Sequence, residues 1–199
     1  MKSAFDVKGQ LSNDDHKIVA ALERISEAFR VLLWEAAKKT GLSPVQIQIL
    51  IFLYFHPDSK QTPSHLATEF NVTKATIADS IRLLVNKELI TKNRDSNDAR
   101  SFVLQLTPGG VAIARESASF ADPLTQALQS LHPETKSHLL EGLIQMISTL
   151  NEQSVISMPR MCLNCRFLEN HKDQHYCRFL EKPLKTAELR IDCPEFEAI

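Results

Sequence analysis

Apolar residues recur at helical spacing over most of the chain, and the places where that spacing stops mark out its elements. Ile18, Leu22, Ile25, Phe29, Leu32, Leu33 and Ala36 form one stripe over residues 15–39, closed by Gly41, a residue suited to the left-handed end of a helix. Ser43-Pro44 caps a second helix that runs to Phe55. Thr62-Pro63 opens a short third helix with Leu66, Ala67 and Phe70 on its apolar side. Asn71-Val72-Thr73 breaks it, and Thr73 caps the next. From 74 to about 87 the apolar residues Ile77, Ala78, Ile81, Leu84 and Val85 predict a buried face. Ala75, Thr76, Asp79, Ser80, Arg82, Leu83 and Asn86 then lie opposite it. The pattern next becomes strand-like: 89–92 and 102–106 predict a pair joined by the polar tip 93–100. After Pro108 a helix is expected to reach Ser130, bent near Pro123. Pro133 opens a last helix, aligned by Leu139, Leu140, Leu143, Ile144, Ile147 and Leu150 and ended by Pro159.

Helix, tight turn, helix and two-stranded wing, in that order over 62–107, is a shape made to sit on duplex DNA. Small and hydrogen-bonding side chains at the start of the second helix let it approach base edges and phosphates closely. The expected contacts are Thr62, Thr73, Lys74, Ala75, Thr76, Asp79, Ser80 and Arg82 from the helices, and Lys92, Arg94, Asp98 and Arg100 from the wing. A charged hairpin tip has no core to join, so its arginines are free to reach a phosphate or a narrow minor groove. Asp98, two residues before Arg100, is placed to orient that guanidinium.

The run Val72-Thr73-Lys74-Ala75-Thr76-Ile77, then Leu84, Leu89-Ile90, Arg94, Asp98, Arg100, Leu104, Leu106-Thr107 and Gly109 or Gly110 resembles the MarR family of winged-helix regulators. The resemblance covers roughly residues 12–155, and its wing signature (Asp, Arg, then Leu-x-Leu-Thr) is the most specific part. It implies that helix 74–87 enters the major groove, that Arg100 enters the minor groove, and that two chains pair through their first and last helices. Two departures stand out. Glu88 occupies a place where the family usually has glycine, so the helix end must be closed another way. Leu83 stands where a basic residue is common.

The fold class expected is mainly α with a small β-wing: a winged helix-turn-helix flanked by long dimerisation helices over 1–157, then a cysteine-rich metal-binding module over 158–199. A long first helix and two late ones carry more apolar surface than one small winged helix covers, which points to a homodimer reading a pseudo-palindromic site. The net charge is −1, and residues 60–106 hold seven Lys or Arg against five Asp or Glu. That excess is thin for a phosphate-bound partner, so binding to double-stranded DNA should be strongly salt-sensitive. The first 17 residues show no signal-peptide pattern, and the longest apolar run, 49–55, is too short for a bilayer. A cytoplasmic protein without membrane association is expected.

All four cysteines fall in the last segment, as C-x2-C, x11, C, x15, C: Cys162, Cys165, Cys177 and Cys193. A C-x-x-C turn points two thiolates at one ion, and two more complete a tetrahedral set. Structural zinc is the leading reading. An iron–sulfur cluster, disulfides and plain buried thiols stand beside it, with Cys193-Pro194 echoing the Cys-Pro of some ferredoxin motifs. His171 and His175 lie between the second and third cysteines as alternative ligands. Phe167, Leu168, Phe179, Leu180, Leu184, Leu189, Ile191 and Phe196 are expected to form a small core around the site. Seven basic and seven acidic side chains in 160–199 argue against a DNA-binding finger. No nucleophile–base pairing or phosphate loop is visible, so no enzyme is expected.

The function expected is a dimeric, sequence-specific transcriptional regulator, most simply a repressor, with a zinc-binding tail. The alternatives are the same regulator with an iron–sulfur or redox-sensing tail, or a basal-transcription or scaffold factor of winged-helix plus zinc-module type. A small-molecule or redox effector is allowed for. A small-molecule pocket is expected near Trp34, Phe52 and Phe55.

Overall fold

The chain begins with α1 (Val7–Gln10) and the long α2 (Asp14–Thr40), as seen in a computed structural model that describes residues 3–57, 60–94, 102–157, 160–171 and 174–199. Asn13 caps α2 by accepting the His16 N–H. Asp14 and Asp15 sit at its positive end, Lys38 and Lys39 at its negative end, and Gly41 closes it at φ 65°. A capping box starts α3 (Pro44–Phe55): Gln46 N–H donates to Ser43 Oγ, and Ser43 N–H donates to Gln46 Oε1 at 2.9 Å. Apolar almost all round, α3 is the centre of the main core, with Ile47, Ile49, Leu50, Phe52 and Leu53 buried.

Around it pack α4 (Pro63–Glu69), α5 (Lys74–Asn86), the base of the wing and α6 (Pro108–Ser117), which contribute Leu66, Ile77, Ile81, Leu84, Ile90, Leu104 and Ala114. The wing is an antiparallel pair, β1 (Ile90–Arg94) and β2 (Phe102–Leu106), in register from Ile90↔Leu106 to Arg94↔Phe102. It runs two residues beyond the predicted end of its first strand. The tip residues Asp98 and Arg100 lie outside the described residues.

Several expectations are corrected. The buried face of α5 is Ile77, Ser80, Ile81 and Leu84, while Ala78 and Val85 are exposed. Spacing of i, i+3, i+4, i+7 from Ile77 takes in Ser80, and its hydroxyl is accommodated by donating to the Thr76 carbonyl at 2.9 Å. Ser80 therefore does not share the exposed face with Asp79 and Arg82. The single bent helix after Pro108 is two helices. A 3₁₀ turn at Ala118–Ala121 ends α6, and Pro123 sits in the first turn of α7 (Asp122–Gln129). The last long helix, α8 (Pro133–Glu152), stops before Pro159: Ser154 takes φ 58° and Val155 N–H bonds back to the Leu150 carbonyl.

Two backbone details fix the wing to the helices. Glu88 itself takes the left-handed conformation, φ 56°, and lets Leu89 N–H reach the Leu84 carbonyl at 3.0 Å. Thr107 Oγ1 donates to the Glu88 carbonyl at 2.7 Å and also accepts from Gly110 N–H, so one hydroxyl joins the end of α5 to the start of α6. Gly110 is the obligatory glycine of the pair. A Cβ there would stand 1.9 Å from the Leu89 carbonyl oxygen, whereas at Gly109 it would meet only ordinary contacts.

The described residues of 160–199 pack onto α8. They form a three-stranded antiparallel sheet in the order β3 (Leu168–His171), β4 (Gln174–Cys177), β5 (Lys182–Leu184). A second core joins Ile144 of α8 to Met161, Cys162, Leu184 and Leu189. The tail's expected private core is thus shared with α8, and Phe179, Leu180 and Ile191 are exposed. Among the described residues no helix is long and apolar enough to cross a membrane.

Candidate nucleic-acid interface and cysteine centre

Thr73 fixes the start of α5: its hydroxyl accepts the Thr76 N–H at 3.1 Å and meets the Thr76 hydroxyl at 2.9 Å. The exposed face that follows carries Lys74, Ala75, Thr76, Asp79 and Arg82. Arg82 pairs with Asp79 at 2.9 Å, but both side chains are about two-thirds exposed, so the pair is weak and open to exchange for a phosphate. Leu83 is also exposed. Thr62 caps α4 by accepting the His65 N–H and is only partly exposed. On the wing Lys92 lies over the Phe102 ring at 3.9 Å, and Arg94 is exposed at the distal end of β1. The positions Lys74, Ala75, Thr76, Asp79, Arg82, Lys92 and Arg94 therefore lie exposed along α5 and β1.

Two residues that position this unit have no sequence motif. Gln61 is buried, and its amide donates to the Leu53 carbonyl at 2.9 Å and the His56 carbonyl at 2.5 Å. Its backbone carbonyl accepts the Leu104 N–H, so the end of α3 and the wing meet at one residue, just ahead of α4. Arg160 is buried where the tail meets the winged helix. Its Nη2 lies 3.3 Å from Glu69 and 3.2 Å from Asp192, and its guanidinium stands 5.2 Å from the Phe52 ring centroid. His56 stacks on that ring and reaches Asp192 at 2.6 Å. His65, 3.5 Å from Arg160, is held below the usual imidazole range by burial first and by Arg160 second. The sequence hint was a lone arginine two residues from a cysteine, which alone carries no signal.

The four cysteines, spread over 32 positions, line one small cavity of about 20 Å³ together with Phe167, Leu168, Arg190 and Glu195. All four are free thiols. The C-x-x-C turn is tight: Cys165 N–H bonds the Cys162 carbonyl at 3.0 Å. Arg190 aims two donors at sulfur, its N–H at Cys162 (3.2 Å) and its guanidinium at Cys193 (3.7 Å). Burial pushes the Cys162 and Cys193 thiols up, and the neighbouring Cys165 and Cys177 push Cys162 further. Among the described residues no three His, Cys, Asp or Glu side chains are drawn together as a finished ion site.

A groove of about 360 Å³ opens between α2 and the α6–α7 joint, lined by Leu32, Glu35, Lys39, Phe120 and the buried Ser117, whose hydroxyl has no hydrogen-bond partner among the described residues. Trp34, Phe52 and Phe55 do not form the expected pocket: Phe52 is in the core, and the other two are exposed.

Fold and exposed helix define a winged helix-turn-helix protein. Residues 40–101 match the model of the MarR family. The transcriptional regulator ZitR of Lactococcus lactis subsp. cremoris is 24% identical over 144 residues, spanning 72% of this chain and 97% of that protein. The S. aureus MepR–DNA complex is similar at 25% identity with a TM-score of 0.58, covering 66% of this chain and 96% of MepR. MepR in its DNA-binding conformation gives 0.60, again at 25% identity, over 67% and 98%. The chain is thus similar to MarR-type winged helix-turn-helix proteins, among them the transcriptional regulator ZitR and the DNA-bound MepR. About a third of it lies beyond what MepR shares.

Proposed function

We propose that this protein is a homodimeric, sequence-specific DNA-binding repressor that lays α5 of each chain in the major groove, grips alongside with the wing, and carries one zinc ion in its cysteine tail. The observation that carries the reading is the exposed face of α5, capped by Thr73 and lying beside β1. Lys74, Arg82, Lys92 and Arg94 neutralise phosphate; Thr73, Ala75, Thr76 and Asp79 approach base edges and backbone; Thr62 holds the start of α4. Asp98 and Arg100 complete the wing by sequence. The arrangement resembles that of MepR in its DNA-binding conformation, which supports the present state as the one competent for DNA.

Pairing is supported by α2, on which Ala37 is the sole buried residue while Ile18, Ile25, Phe29 and Trp34 are each 45–53% exposed. Leu139, Met146 and Leu150 of α8 are exposed as well, and together this is more apolar surface than a lone chain leaves to water. For the tail, a cavity of about 20 Å³ has room for one water-sized occupant, which favours a single ion over a multi-atom iron–sulfur cluster. Four sulfurs suit zinc, and the Arg190 donors supply the second layer that thiolate sites require. The groove beside Ser117 is the place for a small-molecule effector.

The test is fluorescence anisotropy with a duplex selected by the protein from a randomised pool. Two chains per duplex are expected, with severalfold weaker binding for Arg82→Ala and Arg94→Ala and a steep loss with salt. Equal affinity for any sequence, or for both variants, contradicts the reading. Elemental analysis should return one zinc per chain.

A further inference from the structure

Among the described residues, Arg160 and Asp192 are the charged tail side chains bonded to the winged helix, and each sits close to a cysteine. Arg160 precedes Cys162 by two residues, and Asp192 immediately precedes Cys193. The two segments are bonded to each other, Cys193 N–H to the Arg160 carbonyl at 2.9 Å and Cys162 N–H to the Arg190 carbonyl at 3.0 Å. What orders the cysteines therefore orders Arg160 and Asp192. The two side chains converge on one place in the head: Arg160 reaches Glu69 at the end of α4 and Asp192 reaches His56 at the end of α3, both within 3.3 Å. Ser157 adds a hydroxyl bond to the Thr68 carbonyl. On its other side the tail is packed on α8 through Met161, Leu184 and Leu189 against Ile144. Tail and head thus form a bridge from α8 to the helix that precedes the recognition helix.

We propose that Arg160 and Asp192 make duplex binding conditional on the cysteine centre: with the ion in place they fix α4 relative to α8, and when the ion leaves that fixation is lost. The inference rests on the zinc-bearing repressor proposed above and adds how its tail acts on its head. The tail has too little core of its own to stay ordered without a ligand, since its buried apolar side chains are few and shared with α8. Arg160 is a positioning residue: it bonds Glu69, Asp192, His56 and His65, none of which is on the face of α5 proposed to meet DNA. The guanidinium is buried among carboxylates and imidazoles, where its charge and fork geometry decide the contact.

The experiment uses the full reduced chain, zinc-loaded and zinc-stripped by a chelator, and a labelled duplex selected by the unaltered protein. Stripping the unaltered protein is expected to weaken binding about tenfold, within the range of ordinary allosteric coupling. Arg160→Met, loaded with zinc, should bind as weakly as the stripped parent and show no further response to stripping. It should retain one zinc per chain and the parent's mass in solution. Asp192→Asn, at a half-exposed position that tolerates the change, should show the same loss in smaller measure and decides the matter if Arg160→Met does not fold. Variants that keep both the parent's affinity and its response to stripping overturn the inference alone. A parent that holds no zinc, or binds no duplex in either state, overturns the reading beneath it and the inference together.

Discussion

Among the described residues the winged helix buries sixteen apolar residues between Ala37 and Ala114 in one cluster, while the tail brings Met161, Cys162, Leu184 and Leu189 to a cluster completed by Ile144 of α8. The first region has capped helices, a glycine where the chain crosses closely, and a hydroxyl at Thr107 joining two elements. The second has short strands, exposed Phe179 and Ile191, and four thiols around a cavity. A region with a full core holds its shape by burial and can present a fixed face to DNA. A region of about forty residues without one depends on a ligand or on its neighbours, so its order is available as a signal.

The largest expected effect separates the two regions outright. On the proposal of a zinc-bearing tail, removing the ion should withdraw about 10–16 kcal/mol of binding-linked folding energy. Limited proteolysis of the stripped protein should cut within 160–199 while 44–117 survives. Equal resistance of both regions would break the comparison. Next, Gly110→Ala should destabilise the head by about 1–3 kcal/mol, because the new methyl meets the Leu89 carbonyl and backbone must shift. Thermal unfolding should show it, with zinc content unchanged. Glu88→Gly should move the other way by up to about 1 kcal/mol, relieving a left-handed residue that glycine adopts freely.

The smallest effect lies at the seam. Because His65 is held below the ordinary value of 6.5, the unfolded chain takes up that proton first as pH falls. The stability it contributes is fully present above 6.5 and is lost as pH falls from there through the folded-state value. His65→Gln should flatten that part of a stability–pH curve; an unaltered slope would remove His65 from the account.

These helix starts and stops were legible because they are local: Ser43-Pro44, Thr62-Pro63, Thr73 and Gly41 each act within four residues. The wing strands followed from alternation, and the end of the first was misjudged because pairing with Phe102 carries it further. Ser80 was misplaced since a hydroxyl reads as polar until its bond to Thr76 hides it. The confinement of four cysteines to one segment was readable from their spacing, and they line one cavity, whereas β3–β5 were not readable, being short strands without a one-sided pattern. Arg160 and Gln61 were illegible for a different reason. Each is a polar residue made structural by partners as far as 104 positions away, which no local pattern encodes.

The most direct measurement is amide hydrogen exchange of the zinc-loaded full chain with and without its selected duplex. New protection at the first turns of α5 and along β1 and β2, with little added over 160–199, is the predicted outcome. Protection gathered in the tail, with α5 unaffected, would contradict the account.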